Sequence, residues 1–264
     1  RRLDGSQAHL DRKVRRERIE EMSGVVAPLM LDTRTGYVRI ATFLGATVAE
    51  DLRDALARLE RRGMERLVLD LRNNGGGAVA QAASVAGEFL PTGTTVFTTE
   101  GRKADVVDTG RVKRSFWRAE KRYPIVVLVN DGTASAAELL AGALQDHDRG
   151  LVVGGPTFGK SLIMRPFPLA DGSIIMLVVG RLRTPCGRLI QRPYRELTAH
   201  EYFRTAGVAR DTAGLPSCRT DGGRTVYGGQ GILPDILLSD APPHPLWLSR
   251  LLEEELPLQW VSGY

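Results

Sequence analysis

The sequence predicts an α/β protein whose β-sheet is largely parallel and covered by helices on both faces. Two observations support this class. Short, uninterrupted apolar segments occur between patterns with helical spacing, and the connections between them are short. Uninterrupted apolar strands indicate that both faces of the sheet are buried, because a sheet with one wet face has strands that alternate polar and apolar residues.

The first strand–helix unit is predicted between residues 37 and 90. Its elements are strand 37–43, a helix that starts at Thr47 and stops before Gly63, strand 66–71 and helix 78–90. Thr47 and Glu50 have the T-x-x-E spacing of a capping box, and apolar residues recur behind them at helical intervals. The glycine-rich segment DLRNNGGG at 70–77 follows the second strand and predicts a loop.

A second unit repeats this plan between residues 124 and 155. It consists of strand 124–130, turn 131–133, helix 134–146 and strand 151–155. Residues 181–229 have no clear period and predict a loop-rich region, whereas residues 246–256 predict a terminal helix. The arginine-rich segment 1–24 offers few core candidates and is set apart from the α/β body.

The composition is that of an ordinary globular chain. The 264 residues are 42% hydrophobic and 25% charged, and no apolar run approaches the roughly 18 to 20 residues that cross a bilayer. The formal net charge is +5, but basic and acidic residues are interspersed, which does not favour a nucleic-acid partner. Only five residues are lysines, and a lysine can lose its proton when it is buried, whereas an arginine cannot.

The two cysteines are Cys186 and Cys218, and neither has a Cys or His neighbour at zinc-ligand spacing. A structural metal is therefore not expected. Whether the two thiols pair is left open by the sequence.

One motif is misleading. GGPTFGKS, Gly154 to Ser161, matches the phosphate-binding pattern G-x-x-x-x-G-K-[ST], which requires a following helix. Pro166 and Pro168 forbid that helix, so an extended strand is predicted and nucleotide binding is disfavoured.

A histidine-based hydrolase is also disfavoured. The chain has no G-x-S-x-G segment, and His147 lies twelve residues beyond Ser135, about 18 Å along a helix. The remaining histidines, at positions 9, 200 and 244, lie in polar or proline-flanked stretches and are expected at the surface.

Ser135 and Lys160 form a better pair of candidates. Ser135 opens a predicted helix, where its hydroxyl is either a cap or, if Thr133 caps instead, a nucleophile beside free N–H groups. Lys160 follows the next strand, and consecutive strands of a crossover unit lie close together. A desolvated lysine can take a serine proton without histidine. The three glycines of loop 70–77 fit either a ligand-binding loop or a simple tight turn.

Three blocks in this order, LVLDLRNNGGG, NDGTASAAELLAGALQDHDRG and VVGGPTFGKS, resemble the tail-specific or C-terminal-processing serine peptidases. The segments TPCGRLIQ and GQGILPDI also resemble motifs of that family, so that the similarity extends from Tyr37 to Ile236.

The resemblance implies a site. Ser135 would be the nucleophile and Lys160 the general base of a Ser–Lys dyad, while the N–H groups of Gly76 and Ala136 would form the oxyanion hole. Four further residues match family positions and are interpreted as structural or orienting, namely Asp70, Arg72, Glu138 and Asp146. The chain departs from the family pattern at three positions, with Met164 where many relatives have glutamine, Ser161 where glycine is common and Gly75 where proline is common.

The resemblance also implies a crotonase-like α/β core, of the ClpP/crotonase type, with β-rich loop regions. Residues 1–24 would be the remnant of an N-terminal PDZ-like domain with its linker, 25–240 the catalytic domain and 241–264 a C-terminal helical segment. The expected function is a serine endopeptidase that cleaves extended or unstructured polypeptides near their C-termini through an acyl-enzyme. The alternative is a non-catalytic module that binds a peptide or lipophilic ligand on the same fold.

The expected partners are polypeptide substrates, with no nucleic acid, no metal and no cofactor. Peripheral association with a membrane or a regulatory adaptor, and oligomerisation, are left open. The resemblance implies an extracytoplasmic location, in a bacterial periplasm or cell envelope or as a secreted protein.

Overall fold

A computed structural model describes residues 23–102, 106–113, 121–206 and 211–238. All of them belong to one compact unit, Met22–Leu238. A second unit, Arg1–Glu21 with Ser239–Tyr264, lies outside the described residues. The expected PDZ-like remnant and the predicted helix at 246–256 therefore stay predictions.

The main sheet has six strands in the order β1-β2-β3-β6-β7-β12. They are β1 (Val25–Met30), β2 (Thr35–Ile40), β3 (Arg66–Asp70), β6 (Ile125–Val129), β7 (Leu151–Gly154) and β12 (Ile236–Leu237). All neighbours from β2 to β12 pair in parallel, and only β1 is antiparallel to its partner. The predicted α/β class with a largely parallel sheet is confirmed.

The described residues contain four helices, of which the first and third pack on strands of this sheet and the second packs on those two helices. They are α1 (Val48–Arg61), α2 (Val79–Ala86), α3 (Ala136–Asp146) and α4 (Ala199–Arg204). Every residue of α3 is buried, including Glu138 and Asp146, so this helix runs through the centre of the molecule. Its polar side chains must find partners inside the protein, because an unpaired buried polar group is costly.

Outside the main sheet are a four-stranded sheet and a hairpin. The sheet has the order β5-β4-β9-β8 and contains β4 (Thr95–Gly101), β5 (Thr109–Arg111), β8 (Leu162–Pro168) and β9 (Ile174–Arg183). The hairpin is β10 (Ser217–Arg219) with β11 (Thr225–Tyr227). Within β9, only residues 180–183 pair with β4. In the described residues, the earlier part of β9, from residue 174 to 178, pairs with β8 alone. This two-stranded part, 164–168 with 174–178, is called the ribbon below.

Several predicted boundaries differ from the structure. β2 starts two residues earlier than predicted and ends at Ile40, and α2 stops at Ala86 rather than at residue 90. The prediction of a capping box at Thr47 is wrong. The Thr47 hydroxyl donates to the Asp51 carboxylate at 3.1 Å and makes no helix-capping bond. The region predicted as loops contains α4, whose capping box at Thr198 was not recognised from the sequence.

The strand expected after the false phosphate-binding motif is present. β8 begins at Leu162, directly after Ser161, and no helix follows Lys160. The arrangement that a phosphate-binding loop needs is absent there. The two cysteines form a disulfide, which links the loop before Gly187 to β10.

Candidate active site

Ser135 lies at the N-terminus of α3, in the turn that follows the carboxyl end of β6. Its backbone has φ 57° and ψ −119°, a conformation that side-chain-bearing residues rarely adopt. Such strain costs about 1–3 kcal/mol and persists only where surrounding contacts enforce it. The sequence did not reveal this geometry, because serine at a helix start ordinarily has the extended backbone of a cap.

Thr133, the alternative cap, has another function. Its hydroxyl donates to the carbonyl of Leu71 at 2.9 Å and accepts from the N–H of Asn130 at 3.0 Å. It therefore joins the two loops that follow β3 and β6. The N–H of Ser135 donates to Glu138 Oε2 at 2.8 Å, so the third residue of α3 caps the start of its own helix.

The Glu138 carboxylate is the centre of the site. Two donors approach each oxygen: the Thr157 hydroxyl at 2.6 Å and the Gly159 N–H at 2.7 Å reach Oε1, and the N–H groups of Ser135 and Lys160, both at 2.8 Å, reach Oε2. An ionised carboxylate has about four acceptor positions, and all of them are used here. This set of four donors around one carboxylate is called the Glu138 cage below.

The pKa of the Glu138 carboxyl lies near neutral pH. Complete burial raises the pKa of Glu138 to about 7, while the hydroxyl and the three N–H donors favour the charged form and limit the increase. The ionised form is the one that satisfies all four donors, since a bound proton would face one of them.

The cage also explains why Ser135 and Lys160 are neighbours. Their backbone N–H groups donate to the same oxygen of Glu138. These two hydrogen bonds hold the backbones of Ser135 and Lys160 close together. β6 and β7 are adjacent parallel strands, which brings the loops after their carboxyl ends together, as the sequence predicted.

The side chain of Lys160 is not in the expected environment. It is exposed, and its Nζ has no hydrogen-bond partner among the residues that the structure describes. A lysine has to be desolvated to act as a base near neutral pH, and the structure leaves Lys160 exposed. The structure therefore brings the two backbones together, and among the described residues no hydrogen bond joins the Ser135 hydroxyl to the Lys160 amine.

Two residues that sequence reasoning missed hold the turn that carries Lys160. Gln191 Oε1 accepts the N–H of Ser161 at 2.9 Å, and the Arg192 guanidinium donates to the Phe158 carbonyl. The ring of Tyr202 lies 4.3 Å from the Arg192 guanidinium carbon. Gln191 ends the segment TPCGRLIQ, so the motif was a signal that could have identified it.

The glycine loop lies against the serine. A Cβ on Gly76, whose φ is +96°, would be 2.8 Å from Ser135 Cβ and 2.9 Å from the nitrogen of Ala136. Only glycine fits at this close approach. The N–H of Ala136, at the first position of α3, has no intrahelical acceptor. The N–H of Gly76, in contrast, already donates to Asn74 Oδ1 at 2.9 Å.

The remaining predicted residues have structural contacts. Asp70 is buried, and hydrogen bonds from Arg72 and Tyr37 outweigh its burial and hold the pKa of its carboxyl below the usual range. Asp146 forms a fully buried ion pair with Arg188 and accepts the N–H of Cys186 at 3.1 Å. None of these contacts involves Ser135 or Lys160.

Two further positions matter because the sequence singled them out. The ring nitrogens of His147 face the Asp221 carboxylate at 2.7 Å and the Thr95 carbonyl at 2.8 Å, so this histidine is engaged away from Ser135. Met164, at the usual glutamine position, is 45% exposed on β8.

Within the described ranges, no three His, Cys, Asp or Glu side chains are arranged to bind a metal ion. The same residues contain no helix with the length and hydropathy to cross a membrane.

Comparisons with known proteins show which family the chain belongs to. Residues 34–199 match the family model of peptidase family S41. A carboxyl-terminal-processing protease of Synechocystis is 41% identical over 152 residues, which are 57% of this chain and 34% of that protein. The chloroplastic C-terminal processing peptidase of Tetradesmus obliquus is 42% identical over 157 residues, 58% of this chain and 32% of that protein.

Among solved structures, the photosystem II D1 C-terminal processing protease superposes with a TM-score of 0.56 at 30% identity, over 85% of this chain and 49% of that one. The chain spans about a third of the length of the two curated relatives. The family match covers more than half of the chain and includes Ser135, Glu138 and Lys160. The chain belongs to peptidase family S41.

Proposed function

We propose that this chain carries the catalytic site of a serine endopeptidase that cleaves extended polypeptides near their C-termini. The observation that supports this most is the Glu138 cage, which binds the N–H groups of Ser135 and Lys160 with one carboxylate oxygen. A purely structural serine would not need a strained backbone fixed beside a lysine on a separate loop.

The proposed reaction uses Ser135 as nucleophile and Lys160 as base. Nζ takes the proton of the hydroxyl as Oγ bonds to the scissile carbonyl carbon, and the same proton passes to the leaving amine when the C–N bond breaks. Water then hydrolyses the resulting ester. Because Lys160 is exposed in the structure, the bound polypeptide itself has to cover the amine and exclude water.

Ala136 and the glycine loop would stabilise the oxyanion. The Ala136 N–H is at the N-terminus of α3 and has no acceptor within the helix. It can therefore donate to the negative charge that develops on the substrate oxygen. The Gly76 N–H would have to exchange its bond to Asn74 for one to the oxyanion.

The proposal also includes the type of core, the nature of residues 1–24, the cellular location and the partners. We interpret the α/β body as a crotonase-like core and residues 1–24 as the remnant of a PDZ-like domain. A disulfide between Cys186 and Cys218 supports an extracytoplasmic location, since disulfides persist in oxidising compartments. Polypeptides are the proposed partners.

The test is hydrolysis of a reduced, unfolded polypeptide by the full chain and by two substituted forms. Ser135→Ala should abolish cleavage, and Lys160→Arg should lower it by about 10²- to 10⁴-fold, because arginine keeps the charge and cannot act as a base. Ser84→Ala, on α2, is the matched control and should cleave normally. Full activity of Ser135→Ala with a native circular dichroism spectrum would contradict the proposal.

A further inference from the structure

The turn that carries Lys160 lies between β7 and β8 and is held from two sides. On one side, the Glu138 carboxylate accepts the N–H groups of Gly159 and Lys160. On the other side, Arg192 binds the carbonyl groups of the turn. Its guanidinium Nε donates to the Phe158 carbonyl, and its backbone N–H donates to the Gly159 carbonyl at 3.0 Å. The backbone before Lys160 is therefore fixed through both its donors and its acceptors.

The guanidinium of Arg192 is buried and has neutral partners. Only 6% of the residue is exposed. Nη1 donates to the Thr205 hydroxyl at 3.1 Å, and Nη2 donates to the Tyr202 carbonyl at 3.0 Å. Among the described residues, none of its hydrogen-bond acceptors is a carboxylate, and burying a charge without an opposite charge is costly. The formation of an ion pair therefore does not explain this buried arginine.

Two aromatic rings line the same guanidinium. Its carbon lies 4.3 Å from the centroid of the Tyr202 ring and 5.1 Å from that of Phe158, within the distance at which a cation is attracted to a ring. The Tyr202 hydroxyl also accepts from Gln191 Nε2 at 3.0 Å, and Gln191 Oε1 accepts the N–H of Ser161. The residue after Lys160 is thus tied to the same cluster.

Gly159 and Arg192 interlock. Gly159 has a φ of +83°, which favours glycine, and a Cβ at this position would lie 2.4 Å from Arg192 Cγ. The arginine side chain therefore crosses the turn at the residue directly before Lys160. Removing that side chain would free the Phe158 carbonyl and open space beside Gly159, so that the turn could relax.

The amine of Lys160 has no such support. The residue is exposed, and Nζ has no hydrogen-bond partner among the described residues. The position of the amine relative to Ser135 therefore depends on the backbone from which the side chain extends. Misplacing a catalytic group by about 1 Å can lower a rate about 10²-fold.

We propose that Arg192 is a positioning residue for Lys160. It holds the carbonyl side of the turn while Glu138 holds the N–H side, and both are needed to aim the amine at the Ser135 hydroxyl. Arg192 acts through the turn and not on the reacting atoms. The inference rests on the proposed function, in which Lys160 is the base.

The proposal makes α4 part of the site. Tyr202 and Thr205, which accept hydrogen bonds from the guanidinium, lie beyond residue 199, where the match to the family model ends. Tyr202 is in α4, and Thr205 directly follows this helix. A segment outside the matched region thus supports the base of this chain.

The experiment compares two backgrounds, the unsubstituted chain and Lys160→Met. In each background, peptide mass spectrometry measures the rate at which a serine-directed acylating probe modifies Ser135, with and without Arg192→Met. In the unsubstituted chain, Arg192→Met should lower this rate about 10²-fold. In Lys160→Met it should change the rate by no more than about twofold, because a residue that acts through the lysine then has nothing to position.

Two milder variants and a control accompany this comparison. Arg192→Lys keeps the charge but not the planar set of donors, so its rate should lie between those of the arginine and methionine forms. Thr205→Val removes one acceptor of the guanidinium and should lower the rate about fivefold, the factor that a typical hydrogen bond is worth. Thr205→Val carries the test if Arg192→Met lacks a native circular dichroism spectrum. Arg58→Met, on the exposed side of α1, removes the same charge elsewhere and should leave the rate unchanged.

Equal losses in the two backgrounds would overturn the proposal, because Arg192 would then support Ser135 or the fold rather than Lys160. An unchanged rate in Arg192→Met with a native spectrum would overturn it as well. If Lys160→Met is modified at Ser135 as fast as the unsubstituted chain, the proposed function fails, and the positioning of Lys160 fails with it. A rate that depends on Lys160 but not on Arg192 leaves the proposed function standing without this inference.

Discussion

The Glu138 cage and the ribbon, which starts four residues after Lys160, are built in opposite ways. The Glu138 carboxylate at the centre of the cage is fully buried, and each of its acceptor positions has a donor. The ribbon is apolar and exposed, with Ile174 62% and Met176 50% accessible. The comparison shows that internal hydrogen bonds fix the backbone of the candidate site, whereas the adjoining ribbon presents apolar side chains to solvent.

The strongest way to break the comparison is to remove the cage. Glu138→Gln replaces an acceptor of four hydrogen bonds with an amide, whose NH₂ group would face two donors. We expect the free energy of unfolding to fall by roughly 2–5 kcal/mol, because buried donors would lose their acceptor. Denaturant titration measures this loss.

Glu50→Gln is the control for that substitution, since Glu50 is exposed in the first turn of α1. It should cost less than about 1 kcal/mol, the size of a helix-dipole contribution. If Glu138→Gln is as stable as the unsubstituted chain at pH 8, the hydrogen bonds of the cage do no more than balance the cost of burying its charge.

The pH dependence of cleavage gives a smaller but more specific test. Because burial raises the pKa of Glu138 to about 7 from a usual value of 4.5, the cage loses its charge as the pH falls through 7. A proton on one oxygen displaces one donor, so kcat/KM should decrease below that pH. Thr157→Val removes a donor to the carboxylate, raises its pKa further and should move this decrease to higher pH.

Stability should change in the opposite direction. A raised pKa means that the folded chain binds a proton that the unfolded chain releases between pH 4.5 and 7. The contribution of Glu138 to the free energy of unfolding is therefore largest in acid and is lost as the pH rises through 7. Activity that is independent of pH across this window would contradict the account of the cage.

The smallest effect is expected on the ribbon. Met176→Ser changes a side chain that is half exposed, so the free energy of unfolding should change by no more than about 0.5 kcal/mol. Thermal unfolding of the two forms checks this. A loss of several kcal/mol would mean that the ribbon is part of the folded core and would remove the contrast with the cage.

The same contrast explains what could be predicted from the sequence. The apolar strands and α1 were predictable because burial imposes a pattern on contiguous residues, and the proximity of Ser135 and Lys160 followed from the order of strand, helix and strand. The strained backbone of Ser135 and the contacts of Gln191 with Ser161 were not predictable, because they depend on residues that are distant in sequence. The exposure of Lys160 could not be predicted, because a motif gives the residue type and not what covers it.

The central claim is that Ser135 is a nucleophile activated by Lys160. Its most direct test is the site of covalent modification by a serine-directed acylating probe, located by peptide mass spectrometry in the unsubstituted chain and in Lys160→Met. The account predicts one modified residue, Ser135, and a modification rate that falls at least about a hundredfold in Lys160→Met. Modification of Ser135 at the same rate in both forms, or no modification of Ser135 in the native chain, would contradict it.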